Sequence, residues 1–275
     1  MKIFGIFGDP IEHSLSPVMQ NAALLALGET ACYHAFRVGR EDLSVALLGA
    51  KAMGFSGLNL TIPLKEKALE LDILKPDPLA SAIGAANTVS FTKSGMFGYN
   101  TDGWGALRAL YDAGVEVRGK MVLIIGAGGA ARAIAYTLLQ EGAEISIANR
   151  SIKKAQELAA QVDATGYGLI ELEKLVSKAD VIINCTSVGM REGDPRIIGL
   201  GLLQSRQAVF DIVYNRDTEL LFDARVAGAV AVDGVMMLVH QGAKALEIWT
   251  GKKAPIQVME SAVREALRAR SASQG

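Results

Sequence analysis

One run of residues constrains this chain more than any other: Val122-Leu123-Ile124-Ile125-Gly126-Ala127-Gly128-Gly129-Ala130-Ala131-Arg132. Its apolar opening reads as a buried strand, its glycines as a turn, and its alanines as the start of a helix. Gly126 permits the tight turn, and Gly128 lets backbone approach a pyrophosphate resting on the helix N-terminus. Ala131 fills the third position of the G-x-G-x-x-G pattern, where the helix packs closely on the strand. A tight turn in a core would use glycine too, so the context matters. A strand precedes (Met121–Ile125), a helix follows to Gln140, and a second strand is expected at Glu144–Ala148. That order predicts a dinucleotide-binding βαβ unit.

Beyond the second strand, an NAD site usually carries an acid for the ribose hydroxyls. Here the chain reads Asn149-Arg150-Ser151-Ile152-Lys153-Lys154. A carboxylate would repel a 2′-phosphate, whereas a guanidinium pairs with it through charge-assisted hydrogen bonds. Ser151 also suits the N-cap of the next helix, whose N-terminus adds favourable partial charge. A solvated basic helix start is the plain alternative, and NADP is the cofactor this stretch favours.

Short apolar runs alternate with amphipathic ones almost throughout, the pattern of α/β architecture. Strands are expected at Lys2–Phe7, Cys32–Val38 and Ser56–Leu60, with Ala86–Thr92 and Met96–Tyr99 forming a hairpin around Lys93-Ser94-Gly95. Helices are expected after Ser16-Pro17, with Ser16 as N-cap, over Glu41–Met53, over about Pro63–Leu71, and from Asp102. From Met121 onward the strands, including Val181–Asn184 and Ala208–Val213, are continuous apolar runs suited to a parallel sheet covered on both faces. Gly234–Trp249 and Pro255–Ala269 read as terminal helices. A chain of 275 residues with this change of pattern predicts two domains, divided near residue 101.

Composition excludes several classes of function. Lys plus Arg (28) nearly cancels Asp plus Glu (29), so the electrostatic footprint of a nucleic-acid binder is missing. Mean hydropathy is +0.26, yet the longest apolar stretch, Met121–Leu139, is interrupted by Gly126, Gly128, Gly129 and Arg132. It falls short of the about 18 unbroken apolar residues of a spanning helix. Cys32 and Cys185 lie far apart in sequence, as expected of unpaired thiols in a reducing compartment. The three histidines neither cluster nor share ligand spacing with the cysteines, and no metal site is expected. These features describe a soluble cytoplasmic protein.

Four polar clusters stand in the first 102 residues: Ser14-Leu15-Ser16-Pro17, Asn59-Leu60-Thr61-Ile62-Pro63-Leu64-Lys65, Gly84-Ala85-Ala86-Asn87-Thr88 and Asn100-Thr101-Asp102. Each follows or opens an expected element, where α/β proteins place ligand groups. Hydroxyls, amides, one ammonium and one carboxylate suit a small polyhydroxylated acid. Singly, each has a plain structural explanation: Ser16 and Asp102 as N-caps, Asn87 in a turn. Lys65 is harder to set aside, because the first turn of a helix disfavours a cation and favours its deprotonation. With Pro63 as first helical residue, Lys65 falls in that turn.

Together these motifs closely resemble the shikimate dehydrogenase family, essentially end to end. The resemblance continues through Asn184-Cys185-Thr186-Ser187-Val188-Gly189-Met190, Asp211-Ile212-Val213-Tyr214-Asn215, Asp233-Gly234 and Leu238-Val239-His240-Gln241. It implies reversible NADPH-dependent reduction of 3-dehydroshikimate to shikimate in aromatic amino-acid biosynthesis. Lys65 and Asp102 would be the catalytic pair, and Asp102 would also touch substrate. Ser14, Ser16, Thr61, Asn87, Tyr214 and Gln241 would hold the substrate's carboxylate and hydroxyls. Gly126, Ala127, Gly128, Gly129 and Ala130 would hold the cofactor with Asn149, Arg150, Ser151, Ile152, Lys153 and Lys154. Ile212 and Gly234 would stand near its nicotinamide end.

The implied fold is a substrate-binding α/β domain over residues 1–101 and a Rossmann-type, doubly wound parallel sheet over 102–237, with helices of 238–275 packing back on the first. The implied partner is a small-molecule substrate, with no nucleic acid and no membrane, and a homodimer as a candidate assembly. Three positions depart from the family's common pattern: Arg216 stands for a proline, Ser151 for a threonine, and Pro78, beside Asp77, for an acid. Two rival readings are a quinate/shikimate enzyme preferring NAD and a non-catalytic NADP-binding regulatory module. Arg150 without an acid at Asn149 speaks against the first; the presence of both Lys65 and Asp102 speaks against the second.

Hydride transfer requires reacting carbons held at about 3–3.5 Å. With the substrate residues mostly before 103 and the cofactor loop at 126, the two domains are expected to enclose a cleft and close on their ligands. Small-angle scattering should therefore show compaction when shikimate and NADP are both added, and unchanged profiles would count against closure.

Overall fold

A computed structural model describes residues 1–272 and divides the chain into two compact units. One comprises Met1–Asp102 and the segment from Val239 onward; the other is Gly103–Leu238. Residues 273–275, the end of the expected C-terminal segment, lie outside the described residues.

The first unit begins with β1 (Lys2–Gly8), α1 (Ser16–Ala26), β2 (Ala31–Arg37), α2 (Leu43–Ala52) and β3 (Phe55–Leu60). The one-turn α3 (Leu64–Lys67), β4 (Leu74–Pro76), α4 (Pro78–Ile83) and the hairpin β5 (Thr88–Thr92)–β6 (Gly95–Tyr99) follow. Its sheet runs β2-β1-β3-β5-β6-β4, with β1 parallel to β2 and β3, and β5 antiparallel to β3 and β6. Phe7, Leu43, Leu47, Leu58, Leu64 and Val89 join a core on this sheet, which brings α2 and the start of α3 against it.

Local chemistry corrects three expectations here. Ser16 is not the N-cap of α1 but its first residue: Leu15 takes the cap position, and the Ser14 hydroxyl accepts from the Ser16 amide at 3.2 Å. Pro63 is likewise the residue before α3, because the chain first closes a turn from the Leu64 amide to the Thr61 carbonyl. The helix expected to run to Leu71 is one α-turn followed by a 3₁₀ turn at Ala68–Glu70. Asp77 and Pro78 have a structural use: the Asp77 carboxylate caps α4 by accepting from the Ala80 amide at 2.7 Å, with Pro78 in the first turn.

The second unit comprises most of α5 (Asp102–Asp112), then β7 (Met121–Ile125), α6 (Gly129–Gln140), β8 (Glu144–Asn149), α7 (Ile152–Gln161) and β9 (Thr165–Gly168). It continues through α8 (Leu172–Lys178), β10 (Val181–Asn184), β11 (Ala208–Asp211), α9 (Glu219–Val226) and β12 (Val230–Val232). All its strand pairs are parallel, in the order β12-β11-β10-β7-β8-β9, that of a doubly wound dinucleotide-binding sheet. Along β7 alternate residues enter opposite cores, Val122 and Ile124 into one, Leu123 and Ile125 into the other. Burial on both faces is why this strand reads as an unbroken apolar run. β11 ends at Asp211, not Val213, because the Val213 amide turns to bond the Asp211 carboxylate at 3.1 Å.

Two helices complete the chain, α10 (Gly234–Thr250) and α11 (Ile256–Ala272). The later part of α10 and all of α11 belong to the first unit, where α11 packs on α1. Trp249 of α10 stacks on Phe4, centroids 5.1 Å apart, and its indole N–H donates to the Val89 carbonyl at 3.0 Å. The indole lies over Gly57 of β3, where any Cβ would collide with it. Among the described residues no helix is long and apolar enough to cross a membrane.

Trp249→Ala should consequently destabilise the protein by about 3 kcal/mol, the scale of truncating a packed aromatic. Urea denaturation followed by far-ultraviolet circular dichroism would measure it, and a loss below about 1 kcal/mol would show that the C-terminal helices are anchored elsewhere.

Candidate active site

In the first unit, Lys65 of α3 and Asp102 at the start of α5 meet in a charge-assisted hydrogen bond, Nζ to Oδ2 at 2.6 Å. The lysine side chain is 21% exposed and the aspartate side chain 6%, so the pair has a wet side and a buried side. Asp102 Oδ1 accepts from Asn87 Nδ2 at 2.8 Å. The carboxylate is thus held by an ammonium on one oxygen and a neutral amide on the other.

The Asn87 amide is itself fixed. Its Oδ1 accepts from the Thr88 hydroxyl and from the Thr101 backbone amide, both at 2.9 Å. Its Nδ2 also lies 2.9 Å from Thr101 Oγ1 and 3.4 Å from Gln241 Oε1 on α10. Behind it, Asn59 Nδ2 donates to Thr88 Oγ1 and to the Asn87 carbonyl, each at 3.1 Å. Asn59 Oδ1 accepts from the Tyr33 hydroxyl at 2.7 Å, and the Ser16 hydroxyl lies near the same phenol. Burial pushes the Tyr33 phenol well above its ordinary value, keeping it a neutral donor. One buried chain of hydrogen bonds therefore runs from Tyr33 to Asp102, crossing β2, β3 and β5.

Ser14 is half-buried, and Thr61, also half-buried, stands where β3 gives way to the turn before α3. The structure so joins Lys65, Asp102, Asn87 and Gln241 directly, and Tyr33 to them through Asn59, with Ser16 near the phenol. Tyr214, half-buried in the loop after β11, belongs to the other unit.

In the second unit the strand order reverses between β7 and β10, the switch point beside which such sheets bind ligands. Gly126, at φ +118°, brings its Cα against the Cys185 backbone, so that a Cβ would stand 3.0 Å from that carbonyl. A Cβ on Gly128 would meet nothing within 4 Å, leaving the N-terminus of α6 open to an approaching group. Ala131 is fully buried against the sheet. Ser151 caps α7, accepting from the Lys154 amide at 3.5 Å, while Arg150, Ile152, Lys153 and Lys154 are exposed beside it. Gly234 abuts the Ile212–Val213 peptide, which leaves no room for a Cβ. An open helix N-terminus, a bare glycine and an exposed guanidinium beyond β8 fit a dinucleotide carrying a 2′-phosphate.

Models of three families match consecutive parts of the chain: the shikimate dehydrogenase substrate binding domain over residues 6–89, shikimate/quinate 5-dehydrogenase over 109–219, and the shikimate 5′-dehydrogenase C-terminal domain over 234–264. The chain belongs to the shikimate dehydrogenase family. It is 59% identical to the shikimate dehydrogenase (NADP(+)) of Methanothrix thermoacetophila, over 97% of this chain and 98% of that one. The crystal structure of shikimate dehydrogenase from Aquifex aeolicus is similar at a TM-score of 0.91 and 40% identity, covering 96% of this chain and 98% of that one. That of the Thermus thermophilus enzyme in complex with NADP(H) and shikimate is similar at 0.89 and 36%, covering 97% and 100%.

Some of the residues behind the shikimate dehydrogenase motifs carry no signal of their own. Tyr33 sits in an ordinary strand and is visible only through its bond to Asn59. Asn59, Thr88 and Thr101 lie inside the polar clusters, but their task of orienting Asn87 depends on β3 and β5 lying side by side. Arg216, the departure from proline, donates to the Arg191 carbonyl at 2.7 Å and ties its turn to the loop after β10.

Proposed function

We propose that this chain interconverts shikimate and 3-dehydroshikimate with NADP as cofactor, using Lys65 and Asp102 as the catalytic pair. The observation that carries the reading is the 2.6 Å ammonium–carboxylate contact, one side of it half-open and the other fixed by the Asn87 amide. NADP(H), when bound, supplies or accepts the hydride. Reduction of the ketone places negative charge on its oxygen, and a proton must follow. Lys65 Nζ hydrogen-bonds that oxygen and delivers the proton, directly or through a water. In the oxidative direction Lys65 takes the proton from the hydroxyl. Asp102 orients the ammonium through Oδ2 and binds an adjacent substrate hydroxyl.

Ser14, Ser16, Thr61, Asn87, Tyr214 and Gln241 supply hydroxyl and amide groups for the substrate's carboxylate and remaining hydroxyls. Gly126–Ala130 and the α6 N-terminus hold the pyrophosphate, and Asn149–Lys154 hold the adenosine end, with Arg150 pairing the 2′-phosphate. Ile212 and Gly234 line the nicotinamide end. The two free cysteines, Cys32 and Cys185, support a reducing, cytoplasmic setting.

Mixing the protein with shikimate and NADP should raise nicotinamide absorbance, and no change at any ratio of the two would end the reading. Lys65→Ala should lower kcat by about 10²–10⁴-fold with little effect on KM, the usual scale of general acid–base work. Combining it with Asp102→Ala should cost far less than the product of the single losses if the two act as a unit. Arg150→Ala should weaken NADP by about 10- to 150-fold, the value of one charged hydrogen bond, and leave NAD nearly unchanged. Equal losses for both cofactors would remove Arg150 from the phosphate site.

A further inference from the structure

Asp211 is the most buried carboxylate of the second unit that the proposed chemistry leaves unused. It has no exposed surface and ends β11, in register with Asn184, which ends the neighbouring parallel strand β10. Its oxygens accept from three neutral donors: Asn184 Nδ2 at 2.9 Å and the Val213 amide at 3.1 Å on Oδ1, and the Thr218 hydroxyl at 2.7 Å on Oδ2. Burial holds this carboxyl above its ordinary value, with the three hydrogen bonds pulling the other way. A buried carboxylate bound only by neutral groups is an expensive way to stabilise a fold, since an apolar side chain of similar size often does as well.

What the carboxylate organises is local and specific. Asn184, held by Asp211, accepts on Oδ1 from the Thr186 amide at 2.9 Å and hydroxyl at 2.7 Å, and donates to the Val188 carbonyl at 3.1 Å. Thr186 Oγ1 then accepts from the Val188 amide at 3.1 Å, closing the loop after β10 on itself. On the other side, Thr218 bonds Asp211 and caps α9 through the Leu221 amide, which fixes the far end of the loop after β11. The Val213 bond fixes its near end, the peptide that packs against Gly234. Both loops leave the carboxyl ends of strands beside the switch point, and Gly126 rests on the first of them at Cys185.

We propose that Asp211 is a positioning residue for the cofactor, holding through Asn184, Thr218 and the Val213 amide the two loops against which the nicotinamide half of NADP lies. The inference rests on the NADP reading and adds to it a division of labour. Arg150 and Ser151 lie beyond β8, on the opposite side of β7 from β10 and β11, so the adenosine end is held independently of Asp211.

The test compares two probes by calorimetry on the intact protein: NADP⁺, and adenosine 2′,5′-bisphosphate, which carries the 2′-phosphate but no nicotinamide. Asp211→Ala should weaken NADP⁺ by about tenfold, as expected for loss of a charged hydrogen-bonding group, and leave the bisphosphate within twofold of wild type. Asp211→Asn, which keeps an acceptor for Asn184 and Val213, should recover most of the loss. Thr218→Val, which deletes only the bond to Oδ2, should reproduce a smaller loss of the same kind and carries the test if Asp211→Ala does not fold. Unchanged NADP⁺ affinity in both, or equal loss of the two probes, would overturn the proposal. If the wild-type protein binds neither probe, the NADP reading itself fails.

Discussion

Asp102 brings a carboxylate to a position where only 6% of its side chain is exposed, and much of the first unit is arranged to satisfy it. Left unpaired, such a charge would cost several kcal/mol. Lys65 answers one oxygen and Asn87 the other, but an amide can donate to Asp102 only if it is turned the right way. The turn is enforced by placing donors on its carbonyl oxygen, the Thr88 hydroxyl and the Thr101 amide. Those donors depend in turn on the sheet. The Asn87 backbone bonds Leu60 at the end of β3 on one side and Tyr99 at the end of β6 on the other, which sets it between the strand leading to Lys65 and the strand leading to Asp102. The geometry of the ion pair is thus a consequence of strand pairing.

The second unit depends on a different constraint, close approach of backbone to backbone at the ends of its strands. Gly126 at Cys185 and Gly234 at Ile212 both stand where a side chain would collide with a neighbouring peptide. Close packing there keeps the chain thin beside the switch point and leaves the α6 N-terminus uncovered. Cys185 is partly covered by the same packing, and its thiol is pushed above its ordinary value by burial and by the nearby Asp211 charge. It stays protonated at neutral pH.

Most of the architecture is legible in the sequence for a physical reason: strands buried on both faces must be apolar without interruption, and β7 and β10 are readable end to end. The α7 cap at Ser151 and the hairpin turn at Lys93-Ser94 follow from local chemistry alone. Short edge elements escape this reading. β9 contains Thr165-Gly166-Tyr167-Gly168 and β4 ends in proline, so neither has the composition of a strand; each exists because a neighbouring strand offers it a ladder. The start of α3 is misleading in sequence because Pro63 suits a first helical position, while the observed turn is set by the bond from Leu64 to Thr61. At the site, the polar motifs mark Lys65, Asn87 and Asp102, but nothing local marks Tyr33, and Thr218 is marked locally only as the N-cap of α9. The Tyr33 bond to Asn59 and the Thr218 bond to Asp211 both reach partners distant in sequence or across a loop.

The two buried aspartates show how the same side chain takes on different tasks according to its partners. Asp102 faces an ammonium on a four-residue helix, carried by a flexible stem and partly open to water. That partner can shift, exchange hydrogen bonds with a ligand and move a proton without unfolding anything. Asp211 faces a strand-end amide, a backbone N–H and a helix-capping hydroxyl, none of which moves without dismantling a loop. Because its folded-state pKa is raised, ionising it costs the native state, and that cost develops as pH rises from the unfolded value through the folded one and is absent below both. A fold that keeps such a group gains rigidity in return, since a carboxylate can hold two loops at once with acceptors fixed a short distance apart. Mobile compensation suits chemistry and immobile compensation suits positioning, and each unit of this chain holds one of the two.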